Sequence, residues 1–425
     1  MMKVLLISAN TEKINMPTLP MGLGLVAAAA ARAGHRVDFL DLMAEDAPQE
    51  ALALRIRDVA PEVIGISIRN VDDQDSAAPR FLLEAARALV ADCKSLSDAP
   101  VVLGGAGYSL FPQSALAYLG GDMGIQGEGE GAFTALLDQL ERGGRSPDVP
   151  GLYLRGRGRR SRRIFHSRID DWPMPDPELF DVDRFRDPAY YLPVQTRRGC
   201  PLNCSYCATG TIEGRRIRRR SPQRLVADLS RWRSAGFERV FFVDNTFNLP
   251  PGYAQALCRQ LIQADLGLTW RCILYPGRVP AGLISAMAEA GCTEVSLGFE
   301  SGNRCVLAGM GKHFSPEEAA VTARRLGDAG IRRMGFLLLG GPDETLESAA
   351  ESLAWVDSLG LEMVKVTVGI RIYPGTRLAA IAAGQGVVDP ADDLLRPVFY
   401  LKPGLENALR QQVDRWLADR PSWIY

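Results

Sequence analysis

Short apolar runs alternate with amphipathic stretches along most of the chain, and the alternation falls into two series. In the first, runs near residues 3–9, 36–42, 63–69, 100–104 and 123–126 are too short for helices and rich in Val, Ile and Leu. Runs of that kind predict strands buried on both faces. Between them apolar positions recur at helical spacing, as in Ala78–Cys93 and Gly131–Arg142. Strands alternating with such helices predict parallel βαβ units, and five of them predict an open doubly wound sheet over residues 1–150. Ligands of such sheets bind beyond the carboxyl ends of the strands. That rule marks the loops Ala9–Gly24, Ser67–Ser76, Gly104–Phe111 and Gly127–Glu130.

A second series occupies residues 191–378, with strands expected at Leu192–Thr196, Arg239–Val243, Thr269–Leu274, Glu294–Gly298, Arg333–Leu339 and Met363–Gly369. Helical patterns intervene at Pro222–Ala235, Gly252–Ala264, Ala281–Ala290, Pro316–Gly330 and Leu346–Leu359. Six βα units resemble an open, partial (β/α)6 barrel, and a barrel of parallel strands places its chemistry on loops at the carboxyl ends of its strands. Residues 151–190 read as a linker: a basic, glycine-bearing run from Arg155 to Arg163, expected to form a solvated hairpin, then a strap around Pro173, Pro175 and Pro177. The prolines preclude a helix interior there. Residues 379–425 form a C-terminal extension in which Trp416, Trp423 and Tyr425 either line a pocket or pack on the barrel.

A length of 425 residues suits two or three domains, and 47% apolar with 23% charged residues is ordinary for a globular protein. The net charge of -1 argues against nucleic acid as a partner. No apolar stretch reaches membrane-spanning length; Met21–Ala31 comes nearest and Arg32 ends it. The amino terminus reads as a buried strand and not as a signal peptide, so a cytoplasmic location is expected. Of the eight cysteines, Cys93, Cys258, Cys272, Cys292 and Cys305 are scattered without a paired framework, as in a reducing compartment.

The other three share one loop, Cys200-Pro-Leu-Asn-Cys204-Ser-Tyr-Cys207. Three thiolates at this spacing can hold a four-iron cluster and leave one iron open. Zinc would ask for a fourth nearby ligand, and no Cys or His follows within the next fifty residues. The C-x3-C-x2-C spacing, with aromatic Tyr206 before the third cysteine, resembles the signature of the radical S-adenosylmethionine (radical SAM) enzymes. The Val-Val-Leu-Gly-Gly and Gly127-Glu128-Gly129-Glu130 phrases ahead of it resemble the Rossmann-like cobalamin-binding domain joined to many members. The absence of clustered cysteines before Cys200 and after Cys305 sets the chain apart from members with an auxiliary cluster.

The resemblance implies a [4Fe–4S] cluster on Cys200, Cys204 and Cys207, with S-adenosylmethionine chelated to the open iron. It further implies Tyr206, Asp244, Glu300, Ser301, Gly340 and Arg371 as contacts of that nucleotide: Asp244 for the ammonium, Glu300 and Ser301 for the ribose, Gly340 for adenine, and Arg371 for a carboxylate. For cobalamin it implies Asn10, Ser67, Arg69, Asn70, Gly104, Gly105, Tyr108, Gly127 and Glu128. The loop after the first strand lacks the histidine with which many cobalamin domains ligate cobalt, and His35, His166 and His313 are wrongly placed for it. Arg69 or Asn70 is then expected to face the lower side of the corrin, the alternative being that Arg69 pairs with Asp72 or Asp73. The arginines at 215, 216, 218, 219 and 220 read first as a barrel-rim run paired with carboxylates, and second as a group that biases the cluster or meets an electron donor.

The implied activity is methylation of an unactivated carbon, or less often phosphorus, of a small molecule, with a one-electron donor such as flavodoxin or ferredoxin as partner. Three alternatives stay open: a rearrangement or oxidative cyclisation with the same cofactors, a binding protein with a structural cluster, and a radical enzyme without cobalamin.

Overall fold

The computed structural model describes residues 1–12, 18–144, 147–182 and 190–425. Parts of the predicted loop Ala9–Gly24 and of the 151–190 linker lie outside them. The first sheet contains β1 (Lys3–Ser8), β2 (Arg36–Asp41), β3 (Val63–Ser67), β4 (Val101–Gly104) and β5 (Met123–Ile125), all parallel, extended by an antiparallel hairpin of β6 (Leu152–Leu154) and β7 (Gly158–Arg159). Their order is β2-β1-β3-β4-β5-β6-β7. The strand order reverses between β1 and β3, and that crevice is where open α/β sheets take ligands. Helices Met21–Arg32 and Gly129–Glu141 pack together on one face, while Pro48–Val59 and Leu83–Leu96 pack on the other.

The second sheet begins with β8 (Leu192–Val194). The short strands β9 (Arg197–Arg198) and β10 (Arg218–Arg219) pair with each other beside it. The sheet proper continues through β11 (Arg239–Phe242), β12 (Thr269–Leu274), β13 (Cys292–Glu300), β14 (Arg332–Leu339) and β15 (Met363–Val368) in sequential parallel order. This is the expected partial barrel of six strands. β16 (Ile370–Arg371) pairs with β17 (Phe399–Tyr400), and β18 (Trp423–Ile424) adds a seventh parallel strand next to β15. The C-terminal extension thus closes the free edge of the barrel, which answers the edge-strand problem. Its helix Glu406–Leu417 packs on helix Leu346–Asp357.

Two of the apolar cores cross between the sheets. Leu19, Met21 and Leu25 of the first unit belong to the barrel's core, and Val306, Met310, Ile370, Ile372 and Leu378 of the second belong to the core over β1, β3 and β4. The loop Gly105–Phe111 region packs against helix Thr209–Glu213, which directly follows the cysteine loop. The carboxyl-end loops of both sheets therefore meet in one seam.

Candidate functional site

β8 delivers the chain to the cysteine loop through Gly199, whose φ of +88° suits only glycine and where a Cβ would strike the carbonyl of Arg216. Backbone hydrogen bonds hold the loop from three sides: Cys200 N to Gly214 O at 3.1 Å, Ser205 N to Met310 O at 2.8 Å, and Leu378 N to Ser205 O at 2.8 Å. Cys200, Cys204 and Cys207 are free thiols within electrostatic reach of one another. Burial pushes the Cys200 thiol up to about 11 and raises Cys204, while Lys312 pulls Cys204 back down. Among the described residues no three His, Cys, Asp or Glu side chains converge on a single ion. A cubane asks for something different, one thiolate at each of several corners, and three thiols on one tightly held loop fit that demand.

Lys312 Nζ lies 2.9 Å from Glu300 Oε1, and the Tyr206 hydroxyl donates to the same oxygen at 2.9 Å. Glu300 ends β13 beyond a register shift and has a φ of +66°, a left-handed conformation that costs a non-glycine residue about 1–3 kcal/mol. The bulge re-aims the carboxylate toward the cysteine loop. On the opposite side of the loop, Cys207 Sγ meets Thr209 Oγ1 at 3.2 Å, and Thr209 donates to Asn245 Oδ1 at 3.1 Å. Asn245 Nδ2 then donates to Glu213 Oε2 at 3.1 Å, and Gly199 N donates to the same atom at 3.0 Å. Burial raises the Glu213 carboxyl. Lys312, Thr209, Asn245 and Glu213 were not singled out from the sequence. Proximity to the motif was a usable signal for Thr209 and Glu213; for Lys312, more than a hundred residues downstream, there was none.

Several expected contacts are committed elsewhere. Asp244 is fully buried and accepts from Thr196 N at 2.8 Å, Thr196 Oγ1 at 2.5 Å and Arg197 N at 3.2 Å, with Arg197 Nε 3.3 Å away. Burial raises its carboxyl, and Arg197 offsets part of that. Its oxygens are taken, so the chain itself supplies the cation expected from a ligand. Ser301 is fully buried, bonded to Ser352 Oγ at 2.8 Å and accepting from Asn303 N at 3.1 Å. Arg371 is buried on Asp72 at 2.8 Å and on the carbonyls of Ile372 and Leu394 at 2.6 and 2.8 Å. Its donors tie the two sheets together and leave no fork for a ligand carboxylate. Gly340, with φ +92°, donates its N–H to Glu344 Oε2 at 3.2 Å, and an added Cβ would run into Leu401.

On the first sheet, Ala9, Asn10, Thr11 and Glu12 after β1 and Ile68, Arg69 and Asn70 after β3 line a cavity of about 240 Å3 at the switch point. Ser67 closes β3 and accepts from Ala9 N at 3.2 Å. Asn10 Nδ2 donates to Glu12 O at 3.4 Å. Asp72 belongs to Arg371, and Asp73 caps its own turn, accepting from Asp75 N and Arg80 N at 3.1 Å. Arg69 therefore has no carboxylate partner among the described residues, and the ion-pair alternative for it falls. Gly104 ends β4 and Gly105 follows it; Gly105, at φ +98°, lets the loop approach the segment after β3 so closely that a Cβ would lie 2.5 Å from Ile68 O. That close approach is the need the Gly105 position meets.

Three further expected contacts are engaged within the protein. Tyr108 is fully buried in the core, its hydroxyl beside Gly124 and without a partner among the described residues. Gly127, at φ +95°, donates to Ser109 Oγ at 3.0 Å. The Glu128 carboxylate is held by Arg218 and lies 3.3 Å from Arg198, which in turn grips Glu130. Burial pulls the Glu130 carboxyl upward, but Arg198 overrides it and holds it below its usual range. Glu128 is thus a seam residue. A second cavity, about 700 Å3 near Arg324, Arg332, Arg333 and Glu362, opens at the amino ends of the barrel strands, away from the cysteine loop.

Residues 7–137 match the B12 binding domain family and residues 194–356 match the Radical SAM superfamily. An uncharacterized methyltransferase of Pyrococcus horikoshii is 27% identical over 399 residues, covering 91% of this chain and 84% of its own length. A cytidylyl-2-hydroxyethylphosphonate methyltransferase of Streptomyces wedmorensis is 25% identical, covering 95% and 86%. The structure of TsrM from Kitasatospora setae, a radical S-adenosylmethionine methyltransferase with cobalamin and a [4Fe-4S] cluster bound, superposes with a TM-score of 0.88 over all of this chain and 91% of that one, at 20% identity. That likeness shows a shared fold.

Proposed function

The chain belongs to the B12-binding radical SAM enzymes, and from that premise we propose that it is a cobalamin-dependent methyltransferase acting on an unactivated carbon of a small molecule. The observation that carries the reading is the seam: the three-thiol loop of one sheet and the switch-point cavity of the other lie at carboxyl ends that face each other. When bound, the cluster with S-adenosylmethionine supplies a carbon-centred radical, and cobalamin supplies a carrier for the methyl group.

Cys200, Cys204 and Cys207 would hold the cluster, and Lys312 would offset the negative charge their thiolates gather. Tyr206, Glu300 and Gly340 would meet the nucleotide, Glu300 being aimed by its bulge and steadied by Lys312. Asp244 and Ser301 act behind them, fixing Thr196–Arg197 and the turn after Glu300. Asn10, Ser67, Arg69 and Asn70, gathered at the switch-point cavity, would meet cobalamin. The apolar cores that cross the seam would help keep water from cofactors bound there.

The test is an anaerobic reaction of reconstituted protein with a labelled methyl donor and candidate small molecules, read by mass spectrometry. Methyl transfer yields S-adenosylhomocysteine together with 5'-deoxyadenosine. Deoxyadenosine without label in the product would move the assignment to a rearrangement or cyclisation. Iron-free protein, or a Cys204→Ala variant that still forms the nucleoside, would end the radical reading.

A further inference from the structure

The C-terminal extension sets two cations at the mouth of the barrel. Its aromatic residues are committed to packing: Trp416 and Trp423 lie 6.2 Å apart against the barrel core, and the Tyr425 hydroxyl donates to Asp414. Lys402, just after β17, donates its backbone N–H to Gly340 O at 3.0 Å and its Nζ to Pro342 O at 2.6 Å, so it sits over the turn that ends β14. Arg410, in the first turns of helix Glu406–Leu417, donates Nη2 to Ser76 Oγ at 2.8 Å, and Ser76 donates in turn to Val368 O at the end of β15. Leu401 and Leu409, their neighbours in the chain, both pack at Gly340.

Both cations are half-buried, and both are bonded only to neutral oxygens. Among the described residues neither has a carboxylate within ion-pair distance, whereas Arg198, Lys312, Arg333 and Arg371 each have one. The carboxylates around them are engaged elsewhere: Asp72 on Arg371, Asp75 on Ala77 N, Glu344 on Gly340 N and Ser348, Glu406 on Gly404 N and Asp414 on Tyr425. Asp343, next to Pro342, is exposed. A cation drawn partly out of water calls for a counter-charge, and Arg410 and Lys402 keep most of their donors unspent for one. Their placement is specific. Ser76 belongs to the loop that begins with Arg69 and Asn70 at the switch-point cavity, while Gly340 lies on the side of the expected nucleotide. The two cations therefore bracket the seam between the two cofactor positions.

We propose that Lys402 and Arg410 form an oxyanion subsite, and that the small molecule this protein methylates carries a carboxylate or phosphate-type group that docks there. The inference rests on the methyltransferase reading above and narrows its substrate to acidic compounds. The planar fork of Arg410 meets either oxyanion through paired N–H donors, and Lys402 adds a point charge. Held by both, the acidic end of the substrate is fixed at the rim while the carbon to be methylated reaches into the seam. No bond is made or broken at this subsite; it sets which molecule enters and how it is oriented.

The probes are benzoate and phenyl phosphate, with benzamide as their uncharged counterpart, titrated into the full chain by ligand-observed nuclear magnetic resonance. The titration is made on the cofactor-free chain and again with cluster, cobalamin and S-adenosylhomocysteine bound, which separates this subsite from the cofactor sites. The wild type is expected to bind one or both anions about tenfold more tightly than benzamide, and Lys402→Met/Arg410→Met to lose that preference, with Arg410→Lys keeping most of it. Ser76→Ala, which removes the partner of Arg410 within the chain, should leave the preference in place, a result that a merely structural Arg410 would not give. The ratio of benzoate to phenyl phosphate identifies which oxyanion the subsite takes. Equal binding of all three by the wild type, or an unaltered preference in the double variant, would overturn the proposal. In the labelled-methyl reaction, run on a metabolite extract split by anion exchange, label confined to the unretained pool would overturn the subsite and leave the methyltransferase standing. Anion preference without methyl transfer to any compound would instead sink only the functional reading.

Discussion

Replacing Glu130 by glutamine removes one charge from a closed ionic group at the seam. Arg198 bonds Glu130 and lies 3.3 Å from Glu128, whose other partner is Arg218; the side chains of all four are 9% exposed or less. Glutamine keeps the shape of Glu130 and leaves Arg198 sharing one carboxylate with Arg218. A unit charge pair about 4 Å apart is worth about 4 kcal/mol at an effective dielectric of about 20. Breaking a buried pair by removing one partner costs about 3–5 kcal/mol in general. The two figures agree, so Glu130→Gln is expected to cost about 4 kcal/mol. Arg198→Met should cost a similar amount, and the double variant much less than the sum, because Glu128 and Arg218 keep each other.

The assay is urea unfolding of the cluster-free protein at neutral pH, followed by tryptophan fluorescence. The sign of the pH dependence is set as well. The folded carboxyl is held below its ordinary value of 4.5, so its contribution is fully present above that pH and is lost as pH falls through the folded value. The variant should lack that part of the acid transition. A cost below about 1 kcal/mol would refute the reasoning, since it would mean the group is solvated like an ordinary surface pair.

Gly105→Ala places a methyl 2.5 Å from Ile68 O at a φ of +98°, and is expected to cost about 1–3 kcal/mol in the same unfolding assay. It should also weaken cobalamin retention, because it pushes the segment after β3 carrying Arg69 and Asn70; unaltered stability would show the loop can yield. The Cys207 thiol donates to Thr209 Oγ1, which donates to Asn245 Oδ1; once Cys207 is a cluster thiolate its sulfur can only accept, and Thr209 Oγ1 would turn to donate to it. Thr209→Val should therefore make the cluster's midpoint potential more negative in a redox titration followed by electron paramagnetic resonance, because hydrogen bonds to sulfur favour the reduced state. Electron paramagnetic resonance of protein loaded with Co(II) cobalamin should show no nitrogen splitting from a protein imidazole; such splitting would refute the expectation that Arg69 or Asn70 faces the lower side of the corrin.

Strand positions were legible because a strand buried on both faces must be a short apolar run. Thr269–Leu274 was read to the residue, and the other ten expected strands were found within a few residues of their limits. The misreadings have local causes. The helix expected from Ala78 starts at Leu83, since Pro79 and the bridge between Phe81 and Asp72 keep that stretch extended. β13 runs on to Glu300 because a bulge, invisible to hydrophobic periodicity, inserts one more residue. β18 is two residues long, and its only cause is pairing with β15.

The amino-acid order by itself determined the two α/β units, the three-thiol loop and the kind of chemistry it serves, because period, length and ligand spacing are local properties. It could not decide which charged residues face a cofactor and which close the seam. Asp244, Arg371 and Glu128 have the residue types of ligand contacts, yet each finds its partner far away in the chain. Only the folded arrangement brings Arg371 to Asp72 and Lys312 to Glu300, and turns Glu128 and Glu130 inward. A buried charge must be paired wherever the fold places it, and which partner lies within reach is a property of tertiary packing alone.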